Sequence, residues 1–90
     1  MADAKSLAVS VVAADHEVWS GEARQIVART TEGEIGILAG HEPILAVLAA
    51  GEVRMTTLDG TVVTANAEDG FLSVQNDTVT IVAGAATLVS

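Results

Sequence analysis

The apolar residues of this chain fall in short alternating runs and almost nowhere at helical spacing. Leu7, Val9, Val11 and Ala13 share one parity, while Ala8, Ser10 and Val12 take the other, which gives a strand one strongly apolar face. Val18 and Trp19 make a short second run closed by Ser20 and Gly21. Residues 24–31 alternate again, with Ile26 and Ala28 opposed to Gln25, Val27 and Arg29. Two further runs, residues 53–58 and 61–65, flank Asp59 and Gly60. Asp-Gly between alternating runs signals a hairpin, because both turn positions favour positive φ. Residues 71–74 and 78–83 flank Gln75, Asn76 and Asp77, where Asn-Asp can take left-handed or Asx-turn geometry. The one helical candidate is "PILAVLAA" at residues 43–50, with Pro43 at a possible first position and Gly51 just beyond. The expectation there is irregular chain with at most a short helical turn. Strands of four to eight residues separated by turn signals indicate an all-β sandwich or barrel.

Composition agrees. Half of the residues are apolar, mainly Val, Ala, Leu and Ile, with one Trp, one Phe, no Tyr and a single Pro. That mixture suits pleated, half-buried strands and argues against disorder. Ninety residues make a single domain, 1–90, which buries only about 60–65% of the surface its unfolded chain exposes. Four Lys and Arg against twelve Asp and Glu give a net charge of −8. Such a balance argues against nucleic acid as a partner, because that binding rests on neutralised phosphates. It equally disfavours adsorption to anionic lipid and favours a basic or apolar partner surface. Without cysteine there is no disulfide and no thiolate metal site. The N-terminal stretch alternates where a secretory signal would be continuously apolar, and no run approaches the roughly 18–20 residues of a membrane span. Direct membrane insertion is therefore not expected.

Chemistry finds little support. His16-Glu17 and His41-Glu42 invite a metal reading, but neither has the second histidine of H-E-x-x-H, and Pro43 follows Glu42 directly. The glycines at 33, 36 and 40 lack the lysine and the long helix of a phosphate cradle. None of Ser6, Ser10, Ser20, Ser73 and Ser90 sits in a G-x-S-x-G turn. Glu32 with Glu34 and Glu68 with Asp69 resemble acid/base pairs, yet both flank glycines and read as solvated turn carboxylates. No catalytic residue, metal ligand or cofactor is expected.

The stretch "EGEIGILAGHEP" at residues 32–43 has instead what a docking loop wants. Ile35, Ile37 and Leu38 are large and apolar, while Gly33, Gly36 and Gly40 permit tight backbone paths. Glu32, Glu34, His41 and Glu42 form a polar rim around them. Some of those aliphatics must feed the core.

Three blocks, in order, resemble a known family. "VWSGEA" spans residues 18–23, "TTEGEIGILAGHEPILAVLAAGEVRM" spans 30–55, and "DGFLSVQNDTVTIVAG" spans 69–84. The second block is similar to an "EGE[IL]GI-PGH-P" signature followed by a Gly-x-[VI]-R strand. Together the blocks resemble the N-terminal domain of the epsilon subunit of the rotary F-type ATP synthase. The resemblance implies a sandwich of about ten short strands in two mostly antiparallel sheets. It further implies a non-catalytic rotor (central stalk) subunit that docks the gamma subunit onto the membrane c-ring and helps couple proton translocation to ATP synthesis. Its place would be peripheral, on the cytoplasmic face of a bacterial plasma membrane. By motif position the interface candidates are Glu32, Glu34, Ile35, Gly36, Ile37, Leu38, His41 and Glu42, with Glu34 and His41 as polar contacts to the ring. Ala39 stands where the family usually has proline, which should loosen that turn. The family commonly adds a C-terminal pair of helices, and the sequence stops at Ser90, so no helical domain is expected. An acidic β-sandwich binding module unrelated to the synthase is the alternative.

Overall fold

The computed structural model describes residues 6–14 and 16–89; residues 1–5, Asp15 and Ser90, which the expected 1–90 domain includes, lie outside them. Among the described residues there are six strands and no helix: β1 Leu7–Val12, β2 Glu17–Thr30, β3 Gly33–Leu38, β4 Ile44–Thr57, β5 Val62–Gln75 and β6 Thr78–Leu88. They form one sheet in the order β1-β6-β5-β4-β2-β3, and β1 also pairs with β2, so the sheet rolls up and closes on itself. The β1–β6 pair is parallel and every other pair is antiparallel.

Six strands stand where about ten short ones were expected, because three of them run for 14 residues. An extended strand of that length spans roughly 46 Å, whereas the longest dimension of the molecule is 40 Å. The long strands therefore bend. Pairing of β2 with β4 shifts register between Ala23 and Gln25, and β4–β5 pairing lapses between Val47 and Gly51. On β5–β6 it skips Asp69 and Gly84, with Asp69 at φ 59°. At each bend the inward parity changes: Ala23 gives way to Ile26, Leu48 to Val53 and Ala67 to Leu72. Irregularities of this kind re-aim side chains, and here they keep apolar residues inside on both limbs.

The helical turn expected near residues 43–50 is overturned: β4 starts at Ile44, and Ile44 to Val47 pair with Val74 to Phe71. A helix of eight residues gains little stability of its own, and pairing with β5 decides the matter by satisfying the backbone while Ile44, Ala46 and Leu48 turn inward. Gly21 likewise does not end a strand. It pairs with Val9 inside β2, and the Trp19 ring folds over it so closely that a Cβ there would lie 2.9 Å from the indole.

The core contains Leu7, Val9, Val11, Ile26, Ala28, Ile37, Val53, Met55, Leu72, Val74, Val79 and Ile81. The inward parities read from β1 and from residues 24–31 are the observed ones. At the β5–β6 turn Asn76 (φ 50°) and Asp77 (φ 57°) are both left-handed, the type I′ arrangement of a two-residue hairpin. The β4–β5 turn differs from expectation. Only Gly60 has positive φ (92°), and its N–H donates to the Thr57 carbonyl, as in a three-residue loop ending in a left-handed glycine. The Asp59 carboxylate accepts the Thr57 hydroxyl and the Thr61 N–H.

Replacing the fully buried Leu72 by Ala should destabilise the domain by roughly 2–5 kcal/mol, read as a lowered denaturation midpoint. The hydrogen bonds of Asp59, that of Thr57 first and those of Thr61 next, hold its pKa at about 2, below the ordinary 3.8. A depressed folded pKa contributes stability above the unfolded value and loses it as pH falls. Stability should therefore decline between about pH 4 and pH 2, and Asp59→Asn should flatten that window. A carbon-detected titration of the Asp59 carboxyl checks the midpoint directly.

Candidate functional site

The stretch taken from sequence as a loop is mostly strand. Thr30 opens it: buried, its hydroxyl donates to the Gly33 carbonyl at 2.7 Å and accepts the Glu32 N–H at 3.1 Å, while Gly33 turns at φ 117°. β3 then returns along β2, pairing Glu34 with Arg29 and Gly36 with Val27. Period two sorts the candidates. Ile35 and Ile37 point inward; Glu34, Gly36 and Leu38 point outward, and Leu38 is 58% exposed. Ile37 is fully buried, so its side chain belongs to the core and not to a partner surface. Glu32 lies in the turn before β3, whereas His41 and Glu42 follow its other end, so the candidates are spread along a strand of roughly 20 Å.

The outward row of β3 shares its sheet face with Arg29, Glu52 and Arg54. The Arg54 guanidinium stands 3.8 Å from the Glu34 carboxylate, with both side chains about half exposed. An exposed pair of this kind is worth about 0.2–1 kcal/mol, so Glu34 is held loosely and remains open to exchange. The His41 ring donates from Nδ1 to the Glu42 carbonyl at 2.7 Å. The His41 N–H closes the turn on the Leu38 carbonyl at 3.1 Å, and the Gly40 N–H donates to Asp77 Oδ1 at 2.6 Å.

Beside these residues lies a surface that the sequence reading missed. Leu45 (73% exposed) and Val47 (59%) face outward on the first limb of β4, and Val47 pairs directly with Phe71 (43%) on β5. A groove of about 250 Å3 runs between Glu32 and Ile35 on one side and Ile44 to Val47 on the other, so the row is continuous with the candidate stretch. Its signal was present. In "PILAVLAA" the alternate residues Leu45 and Val47 oppose Ile44, Ala46 and Leu48, and period two places them outside once the segment is a strand.

Among the described residues the two histidines are kept apart. His41 follows β3 near the Ala8 end of β1, whereas His16 lies past its Val12 end, so β1 separates them. His16 and Glu68 do line one cleft of about 610 Å3 at the strand bends, among Ala50, Gly51, Ala67 and Gly84. Among the described residues no three His, Cys, Asp or Glu side chains are grouped to hold a metal.

Comparisons with known proteins agree with one another. Residues 6–89 match the model of the ATP synthase delta/epsilon chain β-sandwich domain. The chain is 48% identical over 85 residues to the ATP synthase epsilon chain of Streptomyces coelicolor, covering 94% of this chain and 68% of that one. To the ATP synthase epsilon chain of Micrococcus luteus it is 52% identical over 82 residues, covering 91% and 90%. Among solved structures it superposes with a TM-score of 0.87 and 27% identity on a chain of the Euglena gracilis mitochondrial ATP synthase (OSCP, F1 and c-ring). That match covers 92% of this chain and 53% of the other, so this chain spans about half its length. A chain of the central stalk and c-ring of the Tetrahymena thermophila enzyme matches at a TM-score of 0.71 and 18% identity, a likeness of fold.

Gly36 has negative or extended φ and open space where a Cβ would sit. Gly36→Ala should therefore leave the fold intact or stabilise it by about 0.5–1 kcal/mol. If the outward row of β3 is a contact surface, the added methyl weakens binding while the melting temperature stays level or rises. Thermal melts and binding measured on one sample separate the two effects.

Proposed function

The chain belongs to the family of the ATP synthase delta/epsilon chain β-sandwich domain, and we propose that it works as the non-catalytic epsilon rotor part of an F-type ATP synthase. It joins the gamma subunit to the c-ring and helps couple proton translocation to ATP synthesis. Its place is the cytoplasmic face of a bacterial plasma membrane, as a peripheral part of the complex. The two-layer arrangement of about ten short segments remains part of this proposal, supported by the register shifts and pairing lapses at the bends of β2, β4, β5 and β6. One layer carries the charged outer row of β3 and β4; the other carries Leu45, Val47 and Phe71.

The observation that carries the reading is that apolar row. The chain has two aromatic residues, and one of them, Phe71, stands on the surface against Val47 with Leu45 nearby. Exposed apolar residues set together, with charged residues to one side, mark a protein interface. We assign this row to gamma. Glu34, Gly36, Leu38, His41 and Glu42 are left for the polar loops of the ring, with Glu32 and Ile35 in the groove between the two surfaces. Glu34 meets a basic side chain there, and its loose pairing with Arg54 makes the exchange inexpensive.

A titration of the domain against its cognate gamma subunit tests the assignment. Phe71→Asp should weaken one-to-one binding by about thirtyfold or more, as for a central apolar anchor. Glu34→Lys should leave that affinity and the fold unchanged yet lower proton-coupled ATP synthesis in the reconstituted complex. Unaltered gamma binding by a folded Phe71→Asp domain would place gamma elsewhere. Unaltered coupling with Glu34→Lys would remove the ring from the outer face of β3.

A further inference from the structure

Asp77 lies outside every residue assigned to docking, yet three segments meet on it. Its carbonyl accepts the Ala8 N–H at 2.8 Å, which fixes the start of β1. Its Oδ1 accepts the Gly40 N–H at 2.6 Å across 37 residues of sequence. Gly40 is itself left-handed, at φ 88°, and directly precedes His41.

The turn alone does not explain an aspartate here. At φ 57° an L side chain is held in a sparsely populated region, and glycine after Asn76 would suit a type I′ turn better. What aspartate adds is a charged acceptor. The connection over residues 39–43 has little else to hold it: Ala39 lacks the fixed φ of proline, and the other bonds it makes among the described residues are those of His41 to Leu38 and Glu42. A short, charge-assisted bond from outside the loop supplies the missing constraint.

Resting on the docking role proposed above for residues 38–42, we propose that Asp77 is the positioning residue of that surface. Its carboxylate clamps the Gly40 amide and so sets where His41 and Glu42 are presented. It does this from the hairpin that also anchors β1, so the surface is referenced to the sheet and not to its own connection alone. A preorganised loop loses less freedom when it binds.

Asp77→Gly separates this role from a merely structural one, because the two predict opposite signs. Removing the side chain relieves the turn, so the melting temperature should hold or rise. The Gly40 and His41 amides should nevertheless exchange with solvent about tenfold faster or more, as expected on losing a bond to a charged group. Titrated onto an ATP synthase complex lacking this domain, the variant should bind several-fold more weakly. Asp77→Asn keeps an acceptor oxygen and a left-handed turn, and should restore most of the protection. Unchanged exchange at Gly40 in Asp77→Gly would overturn the clamp, as would faster exchange accompanied by a fallen melting temperature. Faster exchange at a held melting temperature with undiminished binding would instead overturn the docking role of residues 38–42.

Discussion

At Gly70 the backbone of β5 comes so close to β6 that a Cβ would lie 1.8 Å from the Val82 carbonyl oxygen and 2.6 Å from the Ala83 Cα. No side chain fits, and no side chain rearrangement could make room, because both obstacles are backbone. The close approach stands at the bend of β5, between the limb carrying Ala65 and Ala67 and the limb carrying Leu72 and Val74. Small residues gather around it: Ala49, Ala50 and Gly51 on β4, Ala83, Gly84, Ala85 and Ala86 on β6. They let strands pack tightly where they turn. Everything else in the domain follows from strands that change direction there without leaving the sheet.

The bends also decide what reaches the surface. Each limb has its own inward parity, so one strand contributes to two outer faces of different character. On β4 the first limb exposes Leu45 and Val47, while the second exposes Glu52 and Arg54. On β5 the outward residue paired with Val47 is Phe71, and the bend lies between it and the earlier limb. With Met55, Leu72, Ile26, Ile37 and Ile81 filling the interior, the fold does not use its one phenylalanine as a core residue. Its exposure is informative for that reason.

How much of this could be read beforehand depended on the reach of each signal. The alternation of β1 and of residues 24–31 set strand type and inward face, because period two is local and burial enforces it. The Asn76-Asp77 turn was legible for the same reason. Five features were not. The bends arise from contacts between strands far apart in sequence, so each parity change looked like the end of one short run. Residues 44–50 carry alanines and a preceding proline that suit a helix, and only their pairing with β5 decides against it. Ile37 sat amid docking candidates, and its place on the inward parity of an edge strand emptied it of that role. Asp77 was read as a turn residue; its bond to Gly40 spans 37 positions, which no local pattern encodes. Family resemblance supplied partners, but the exposed row of Leu45, Val47 and Phe71 needed a structure.

A rotor part between two partners must pass force from one face to the other. In a sandwich of two separate sheets that force crosses a layer of interdigitated side chains held by dispersion, which can slide. Here β4, β5 and β6 run unbroken from one limb to the other, and β2 joins β1 to β4 across its own register shift. On the proposed assignment, load entering at Phe71 on one limb of β5 would travel through covalent backbone to Asn66 and Ala65 on the other, and across β4 to Arg54 and Glu34. The ladder hydrogen bonds then resist shear between neighbouring strands, and closure through β1 leaves the roll no seam along that strand at which to open. The corner that makes the two faces different is thus also what couples them mechanically.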